Sequence, residues 1–387
     1  MKIVAQVKLM PASAHDADAL AATLRACNRA ATWVSETAHA RGLFRRNELQ
    51  QAVYHDTKAV FGLAAQPAVR TIKKVVDAYT TLKANIKAGN LGPEGAKRRT
   101  KADATPIFFR EDAAQPYDDR ILTWNLDQRT VSVWTVAGRL KGVPFVCSPE
   151  ALKLLASRKG ESDLMMRDGM FFLAATIDLP EPAPYGPDGF LGVDLGIVNI
   201  ATTSDGQVMS GRRIDRYRRR HRDLRQKLQK KRTKSARRAL KRIRRRESRY
   251  TAQRNHIIAK KLVATAERTS RGIGLEDLSG IRQRVTAKKN QRSRLHAWAF
   301  AQLGAFIEYK ARRAGVPVVV VDPRYTSRQC SVCRHTHRAN RATQARFACR
   351  SCGVVLHADI NGSRNIAYRA DAVWQRGAVN RPRTTAR

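Results

Sequence analysis

The chain has 387 residues, with 74 Lys or Arg against 32 Asp or Glu, and its formal net charge is +42. Charge of one sign repels itself in a compact protein, and a phosphate backbone is the natural counterweight; an acidic protein or an anionic membrane surface is a weaker alternative. Hydrophobic residues make up 43% of the chain, which excludes a wholly disordered basic protein. No run of about 18 apolar residues exists, so the sequence predicts no transmembrane helix.

The N-terminal half changes its periodicity twice. Residues 2–10 alternate apolar and polar side chains, which predicts a strand, whereas residues 14–88 carry apolar side chains at helical spacing. Residues 89–104 are rich in Gly, Lys and Arg and indicate a linker. Short strands are predicted beyond it, among them residues 107–109. This order predicts a β-barrel with a helical insertion.

A proline-rich hinge, residues 180–187, separates this half from a second one of different character. Three short strands follow the hinge, and then a basic segment, residues 212–249, holds 21 Lys or Arg against three acids. Its thin apolar stripe (Leu224, Leu228, Leu240 and Ile243) favours a helical hairpin over a tail. Such a hairpin is either a nucleic-acid-binding surface or a solvated amphipathic one. Further strands at 272–276 and 316–321 and helices at 251–268, 293–314 and 358–370 complete the pattern.

Two acidic residues end strands of the second half. Asp194 closes Gly192-Val-Asp and Glu276 closes Gly274-Leu-Glu, so each acid has a glycine two residues earlier on the same strand face. Strands lying side by side would bring both carboxylates together, and Asp359 begins a later helix. Three converging carboxylates can hold two Mg²⁺ ions for phosphodiester hydrolysis. The alternative is that each acid is a helix cap, a turn residue or an ion-pair partner.

Four cysteines have the spacing of a metal site. Cys330-x-x-Cys333 is followed, after fifteen residues, by Cys349-x-x-Cys352. Two such turns complete a tetrahedral thiolate shell, which predicts one structural Zn²⁺. A closed shell leaves no open position, so this zinc is not the catalyst. Disulfides are the alternative. We expect the protein to be cytoplasmic, and disulfides are rare in that compartment. His335, His337 and His357 are possible substitute ligands.

Residues 190–370 resemble the RuvC-type nuclease half of the TnpB family, which consists of transposon-encoded RNA-guided DNA endonucleases related to compact type V CRISPR effectors. The matching stretches are 192–199, 274–282, 322–327, the ribbon with 340–349, and 357–361 running on to 365–366. The resemblance implies that Asp194, Glu276 and Asp359 hold the catalytic metals. It also implies that Arg341 corresponds to the arginine of the family's ribbon motif and contacts substrate near them; otherwise it is one of several phosphate-contacting surface arginines.

The fold implied is an α/β multidomain one, in which an RNase H-like (RuvC) core with an inserted zinc ribbon follows a β-barrel wedge domain with a helical recognition insertion. The predicted domains are the wedge (1–12 and 105–180), the helical lobe and linker (13–104), the nuclease (188–324 and 356–372, with the basic insertion 212–268), the zinc ribbon (325–355) and a basic disordered tail (373–387).

The function implied is a guide-RNA-directed, Mg²⁺-dependent endonuclease that cuts double-stranded DNA next to a short target-adjacent motif. Its partners would be a guide RNA from the transposon end and the target DNA, with no membrane involved and a nucleoid-associated monomer favoured. Three alternatives stay open: an RNA-guided DNA-binding repressor without cleavage, a compact type V CRISPR effector, and a DNA-joining transposase.

Overall fold

The structure is a computed structural model that describes residues 1–278 and 300–377. It consists of two compact units, one ending at Pro180 and the other beginning at Glu181. The predicted helix 293–314 is therefore described only from Phe300. Within the described part of the chain, no helix is both long and apolar enough to cross a bilayer.

The first unit contains a seven-stranded antiparallel sheet in the order β2-β6-β7-β1-β5-β4-β3. Its strands are β1 (Lys2–Leu9), β2 (Gln115–Tyr117), β3 (Leu122–Asn125), β4 (Thr130–Thr135), β5 (Gly138–Val146), β6 (Arg158–Arg167) and β7 (Met170–Asp178). Alternation along β1 buries Ala5, Val7 and Leu9 while Val4 is exposed. The sheet is nearly closed, but its edge strands β2 and β3 share no ladder among the described residues.

Helices fill the insertion between β1 and β2, as predicted. They are α1 (Ala14–Arg41), α2 (Arg46–Phe61), α3 (Ala65–Lys87) and α4 (Lys97–Ala104), and α5 (Pro149–Leu155) follows β5. Ser13 caps α1 by accepting a hydrogen bond from the Asp16 backbone N–H, and α1 ends at Gly42 in the left-handed conformation. Leu20, Leu24 and Cys27 form the buried stripe of α1.

Two predictions for this unit are wrong. Residues 89–104 are not wholly a linker, because α4 occupies their second half. Residues 107–109 form no strand ladder. The Phe109 N–H instead donates to Thr32 Oγ1 on α1 (3.1 Å), and Ile107 and Phe109 pack against the helices. Ile107 and Phe109 thus pack on the helical insertion, although the alternation of side chains had predicted a strand.

The second unit is built on a five-stranded mixed sheet in the order β10-β9-β8-β11-β12. Its strands are β8 (Phe190–Asp194), β9 (Asn199–Thr203), β10 (Val208–Ser210), β11 (Gly272–Glu276) and β12 (Val318–Val321). Strands β8, β9 and β10 are antiparallel neighbours, whereas β11 runs parallel to both β8 and β12. All five correspond to strands predicted from the sequence.

Helices α6 (Arg212–Lys231), α7 (Lys234–Ile243) and α8 (Arg246–Arg268) divide the basic insertion. Arg232 and Arg245 interrupt them with φ angles of 51° and 66°, so the predicted hairpin, residues 212–249, contains α6, α7 and the first turn of α8. Tyr217 of α6 stacks on Tyr250 of α8 with ring centroids 4.3 Å apart. The predicted apolar stripe is wrong in its members: none of its four residues is fully buried, and Ile214 and Ala236 are buried in their place.

Two more helices complete the unit, α9 (Phe300–Ala314) and α10 (Ala358–Gln375). Helix α10 lies directly on β8 and β11 where these strands carry glycine. A Cβ at Gly192 would lie 1.9 Å from the Ser363 carbonyl oxygen, and one at Gly274 would lie 2.9 Å from the Ala370 Cβ. Only hydrogen at these positions lets the helix backbone approach so closely. Because α10 continues to Gln375, the predicted tail 373–387 begins too early.

We expect Gly192→Ala to destabilise the protein by about 3 kcal/mol, at the upper end of overpacking costs, because the new methyl meets helix backbone. Gly304→Ala is the matched control: it lies within α9 with nothing within 4 Å of its would-be Cβ, and it should stabilise by about 0.5–1 kcal/mol. Thermal unfolding of both variants checks this, and an unchanged midpoint for Gly192→Ala would contradict the packing argument.

Candidate functional site

Asp194 and Glu276 end neighbouring parallel strands. The register pairs Gly192 with Gly274 and Val193 with Leu275, so the next residue of each strand is one of the two acids. Both carboxylates therefore leave the same edge of the sheet, where the carboxyl ends of β8 and β11 meet. In open α/β sheets this edge is where ligands bind.

Asp359 reaches the same place from the first turn of α10. A Cβ at Gly362 in that turn would lie 3.2 Å from Asp194 Oδ2, so the Asp194 carboxylate faces the beginning of the helix. Asn199 of β9 donates from Nδ2 to Asp359 Oδ2 (2.8 Å), and the Asp359 backbone N–H donates to His357 Nδ1 (3.3 Å). The helix N-terminus also favours a negative charge there.

The electrostatics of the site show unbalanced negative charge. Burial is the main cause that raises the pKa of Asp194, and the charges of Glu276 and Asp359 raise it further, while Arg341 opposes them. Burial likewise raises the pKa of Glu276, against a hydrogen bond from Thr326 and the charges of Arg369 and Arg341. A divalent cation would remove this repulsion and favour the ionised carboxylates.

The donor chemistry fits magnesium, because all three side chains offer hard oxygen ligands. Their oxygens do not form one tight cluster: among the described residues, only the four cysteines bring their ligand atoms within 4.8 Å of one another. A pair of ions about 3.5–4 Å apart does not require such a cluster, since its outer ligands contact different ions. The donor set therefore fits divalent cations, which Asp194, Glu276 and Asp359 would hold.

A polar stripe on α10 supports the loop beside Glu276. Asn361, Asn365 and Arg369 follow each other at four-residue steps and so share one helix face. Asn361 Nδ2 and Asn365 Nδ2 both donate to the Gln329 carbonyl (2.8 and 2.7 Å), and Asn365 also donates to the Thr326 carbonyl (2.9 Å). These residues hold the loop against the helix.

The supported loop then fixes Glu276. Thr326 Oγ1 donates to Glu276 Oε1 at 2.5 Å. Sequence reasoning assigned no role to Thr326, Asn199 or the α10 stripe. The one available signal was the four-residue spacing of polar side chains in a helix whose other buried positions are small or apolar.

The four cysteines form the metal cluster predicted from their spacing. Cys330 Sγ lies 3.7 Å from Cys352 Sγ, and Cys333 Sγ lies 3.5 Å from Cys349 Sγ. A disulfide would need about 2.05 Å, and all four thiols are free. Tetrahedral Zn–S bonds of about 2.3 Å place sulfur atoms roughly 3.8 Å apart, so the cluster fits zinc.

Local hydrogen bonds favour the thiolate form of Cys349. Burial would raise the pKa of Cys349, but hydrogen bonds from the Cys352 and Ser351 backbone N–H groups, together with the neighbouring thiols, lower it to about 6. No histidine belongs to the cluster among the described residues. His357, one of the possible substitutes, caps α10 instead.

Hydrogen bonds join the cysteine-containing ribbon to α10, the helix that also carries Asp359. The Ser331 N–H donates to Asn361 Oδ1 (2.9 Å), and Arg334 donates to Asn365 Oδ1 (3.0 Å). Arg341 belongs to the same ribbon: its guanidinium donates to the Gln344 carbonyl (3.3 Å), and its charge acts on both Asp194 and Glu276. The ribbon therefore presents a cation to the acidic site.

Two other acidic residues of the second unit have ordinary partners. Asp205 forms an ion pair with Arg271 (2.6 Å). Asp322 accepts a hydrogen bond from the Arg324 N–H (2.9 Å). Neither residue is among the charges that shift the pKa of Asp194 or Glu276.

Comparison with known proteins gives two family models and several relatives. Residues 176–280 match the model described as "Probable transposase" (OrfB_IS605), and residues 300–366 match "Cas12f1-like, TNB domain". The CRISPR-associated endodeoxyribonuclease Cas12f1 of Sulfoacidibacillus thermotolerans is 40% identical over 114 residues, which are 29% of this chain and 26% of that protein. This match therefore spans only about a quarter of the relative's length.

A TnpB-like protein of Methanocaldococcus jannaschii is 31% identical over 213 residues, which are 51% of this chain and 76% of that protein. Among solved structures, CasPhi-2 (Cas12j) bound to crRNA superimposes with a TM-score of 0.53 at 12% identity, covering 96% of this chain and 98% of that one. That likeness concerns the fold alone. The extent of the match to the archaeal protein, joined to the two family models, shows that this chain belongs to the TnpB family.

Proposed function

We propose that this protein is an RNA-guided DNA endonuclease with one metal-dependent site, formed by Asp194, Glu276 and Asp359. The observation that carries the proposal is the meeting of these acids, from β8, β11 and α10, at one edge of the sheet with mutual repulsion. Charge repulsion of this kind is a cost that a structural role does not explain, and perturbed pKa values of this kind concentrate at functional sites.

The chain's own residues divide the work at this site. Asp194, Glu276 and Asp359 would together hold the Mg²⁺ ions through their carboxylate oxygens. Bound ions would supply an activated water and stabilise the leaving oxygen of the phosphodiester. Thr326 orients the Glu276 carboxylate, and Asn199 orients that of Asp359. Arg341 would neutralise charge on a substrate phosphate beside the acids.

The architecture supports the RuvC-type assignment. The five-stranded sheet is antiparallel through its first three strands and parallel beyond, and we assign it to the RNase H-like class. We assign the seven-stranded sheet to the wedge domain and α1–α4 to the recognition lobe. The zinc ribbon would hold Arg341 in place and take no part in the chemistry.

Nucleic acid accounts for the charge. The insertion 212–249 carries 21 basic residues, and most of them are exposed. We assign this surface to the phosphates of the guide RNA and its DNA target, where base pairing supplies sequence and the protein reads backbone and shape. Cas12f1 is named an endodeoxyribonuclease and CasPhi-2 is seen with crRNA. These properties of relatives agree with an enzyme that uses an RNA guide.

We expect Asp194→Asn to lower the cleavage rate by more than about 10²-fold, because the charge that holds the metals is lost. Guided binding of target DNA should persist. Single-turnover cleavage and electrophoretic mobility shifts, with the protein purified together with its RNA, measure the two properties separately.

Asp205→Asn is the matched control, since Asp205 pairs with Arg271 outside the site, and it should cut at the parental rate. Mg²⁺ should raise the thermal midpoint of the parent but not that of Asp194→Asn, because a ligand stabilises only the state that binds it. Parental cleavage by Asp194→Asn would refute the metal assignment, and a parent that binds but never cuts would favour the repressor alternative.

We expect the purified chain to contain one zinc and Cys349→Ser to lose it, along with part of its cleavage activity, because the ribbon positions Arg341. Cys147→Ser, a half-buried cysteine of the first unit, should keep one zinc. Inductively coupled plasma mass spectrometry measures the metal content. Full zinc occupancy in Cys349→Ser would disprove the assignment of the ligands.

We also expect the protein to purify with RNA and to bind it with steep salt dependence. Replacing the exposed Lys227, Lys230 and Lys231 of α6 by Gln should reduce the slope of log affinity against log salt by about two. The corresponding Lys→Arg replacements keep the charge and should keep the slope. Equal slopes for the Gln variant and the parent would show that α6 does not contact phosphates.

A further inference from the structure

The loop after β12 carries an aromatic side chain in an unusual conformation. Tyr325 has a φ of +63° and is the one aromatic among the described non-glycine residues with positive φ. The left-handed region is sterically unfavourable for a bulky side chain. Its side chain is also 59% exposed, and no hydrogen bond or ring contact engages it within the described part of the chain. Such strain persists only where the surroundings impose it, and it concentrates at functional sites.

The surroundings do impose it. The Tyr325 carbonyl accepts hydrogen bonds from the N–H groups of Arg328 and Gln329 (2.9 and 2.8 Å). On the other side, the Arg369 guanidinium donates to the carbonyls of Asp322 and Arg324 (2.8 and 2.7 Å). The backbone is held before and after Tyr325, so the ring is presented to solvent by a fixed loop and not by a mobile one.

Tyr325 directly precedes a residue that contacts the acidic site. The next residue, Thr326, donates to Glu276 Oε1 at 2.5 Å, and consecutive Cα atoms are about 3.8 Å apart. The backbone of Tyr325 is therefore one residue away from a direct hydrogen bond to the acidic site. The neighbouring Arg324 side chain is 83% exposed and lies 3.9 Å from the Asp322 carboxylate.

We propose that Tyr325 is a base-stacking residue of the nuclease site, which holds the base next to the phosphate that is cut. This inference rests on the proposed function. Stacking on an aromatic ring accepts every base, because every base has a π-face. It therefore suits an enzyme whose sequence choice is made by base pairing, and it would fix the single strand so that one phosphodiester faces the metals.

The test compares three variants of the full chain, each purified with its RNA and given a DNA target complementary to that RNA. Tyr325→Ala and Tyr325→Gly should lower the single-turnover cleavage rate about ten- to hundredfold, as expected for one lost base stack. Tyr325→Phe should remain within about twofold of the parent. Tyr325→Gly should also unfold at a higher temperature than the parent, because glycine relieves the strain.

Arg129→Gly is the control for strain relief, since Arg129 has a φ of +52° in the first unit. It should gain thermal stability and keep the parental cleavage rate. An abasic nucleotide is then placed at successive positions around the cut. At one position it should slow the parent but not slow Tyr325→Ala further, since contacts between the same two groups are not additive.

Cleavage by Tyr325→Ala at the parental rate would overturn the inference, as would equal losses in Tyr325→Phe or abasic effects that add to Tyr325→Ala at every position. If these results appear while cleavage still depends on Asp194, only the stacking role fails. A parent that does not cut, or an Asp194→Asn variant that does, removes the proposed function and this inference with it.

Discussion

The close approach of α10 to the sheet is the constraint on which the second unit depends. Gly192 and Gly274 are paired across parallel strands, and neither leaves room for a methyl group beneath the helix. This contact sets the height of α10 above β8 and β11. It thereby sets the distance from Asp359, in the first turn of the helix, to the two acids at the ends of those strands.

Helix α10 also organises what surrounds the acids. Its buried stripe of Asn361 and Asn365, with Arg369 beyond, holds the loop that carries Thr326 and Tyr325. The same asparagines contact the first cysteine turn. Because buried amide groups must be paired, these bonds favour one arrangement of loop and ribbon. One helix thus couples a thiolate cluster to a carboxylate cluster of different chemistry.

The charge distribution supports the same view of the site. A chain of net charge +42 nevertheless gathers three acids at one edge of the sheet, where burial raises the pKa of Asp194 and of Glu276, and the charges of the other two acids raise that of Asp194 further. The repulsion disfavours the metal-free state and favours binding of a divalent cation. The exposed basic side chains of residues 212–249 would attract a polyanion over a long range, so positive and negative charge are gathered in different parts of the second unit.

The sequence alone determined the features that depend on spacing and periodicity: β1 and the five strands of the second sheet, the four-cysteine cluster, and Asp194, Glu276 and Asp359 as candidates. The glycine two residues before each strand acid indicated that another part of the chain packs closely on the strand, but not which part. Only the tertiary structure decided that α10 occupies that space, that residues 107–109 pack on helices, and that Thr326 and Asn199 orient the acids. These outcomes rest on contacts between residues far apart in the chain, whose geometry no local pattern encodes. The left-handed backbone of Tyr325 has the same origin, because hydrogen bonds from a helix more than thirty residues later hold its loop.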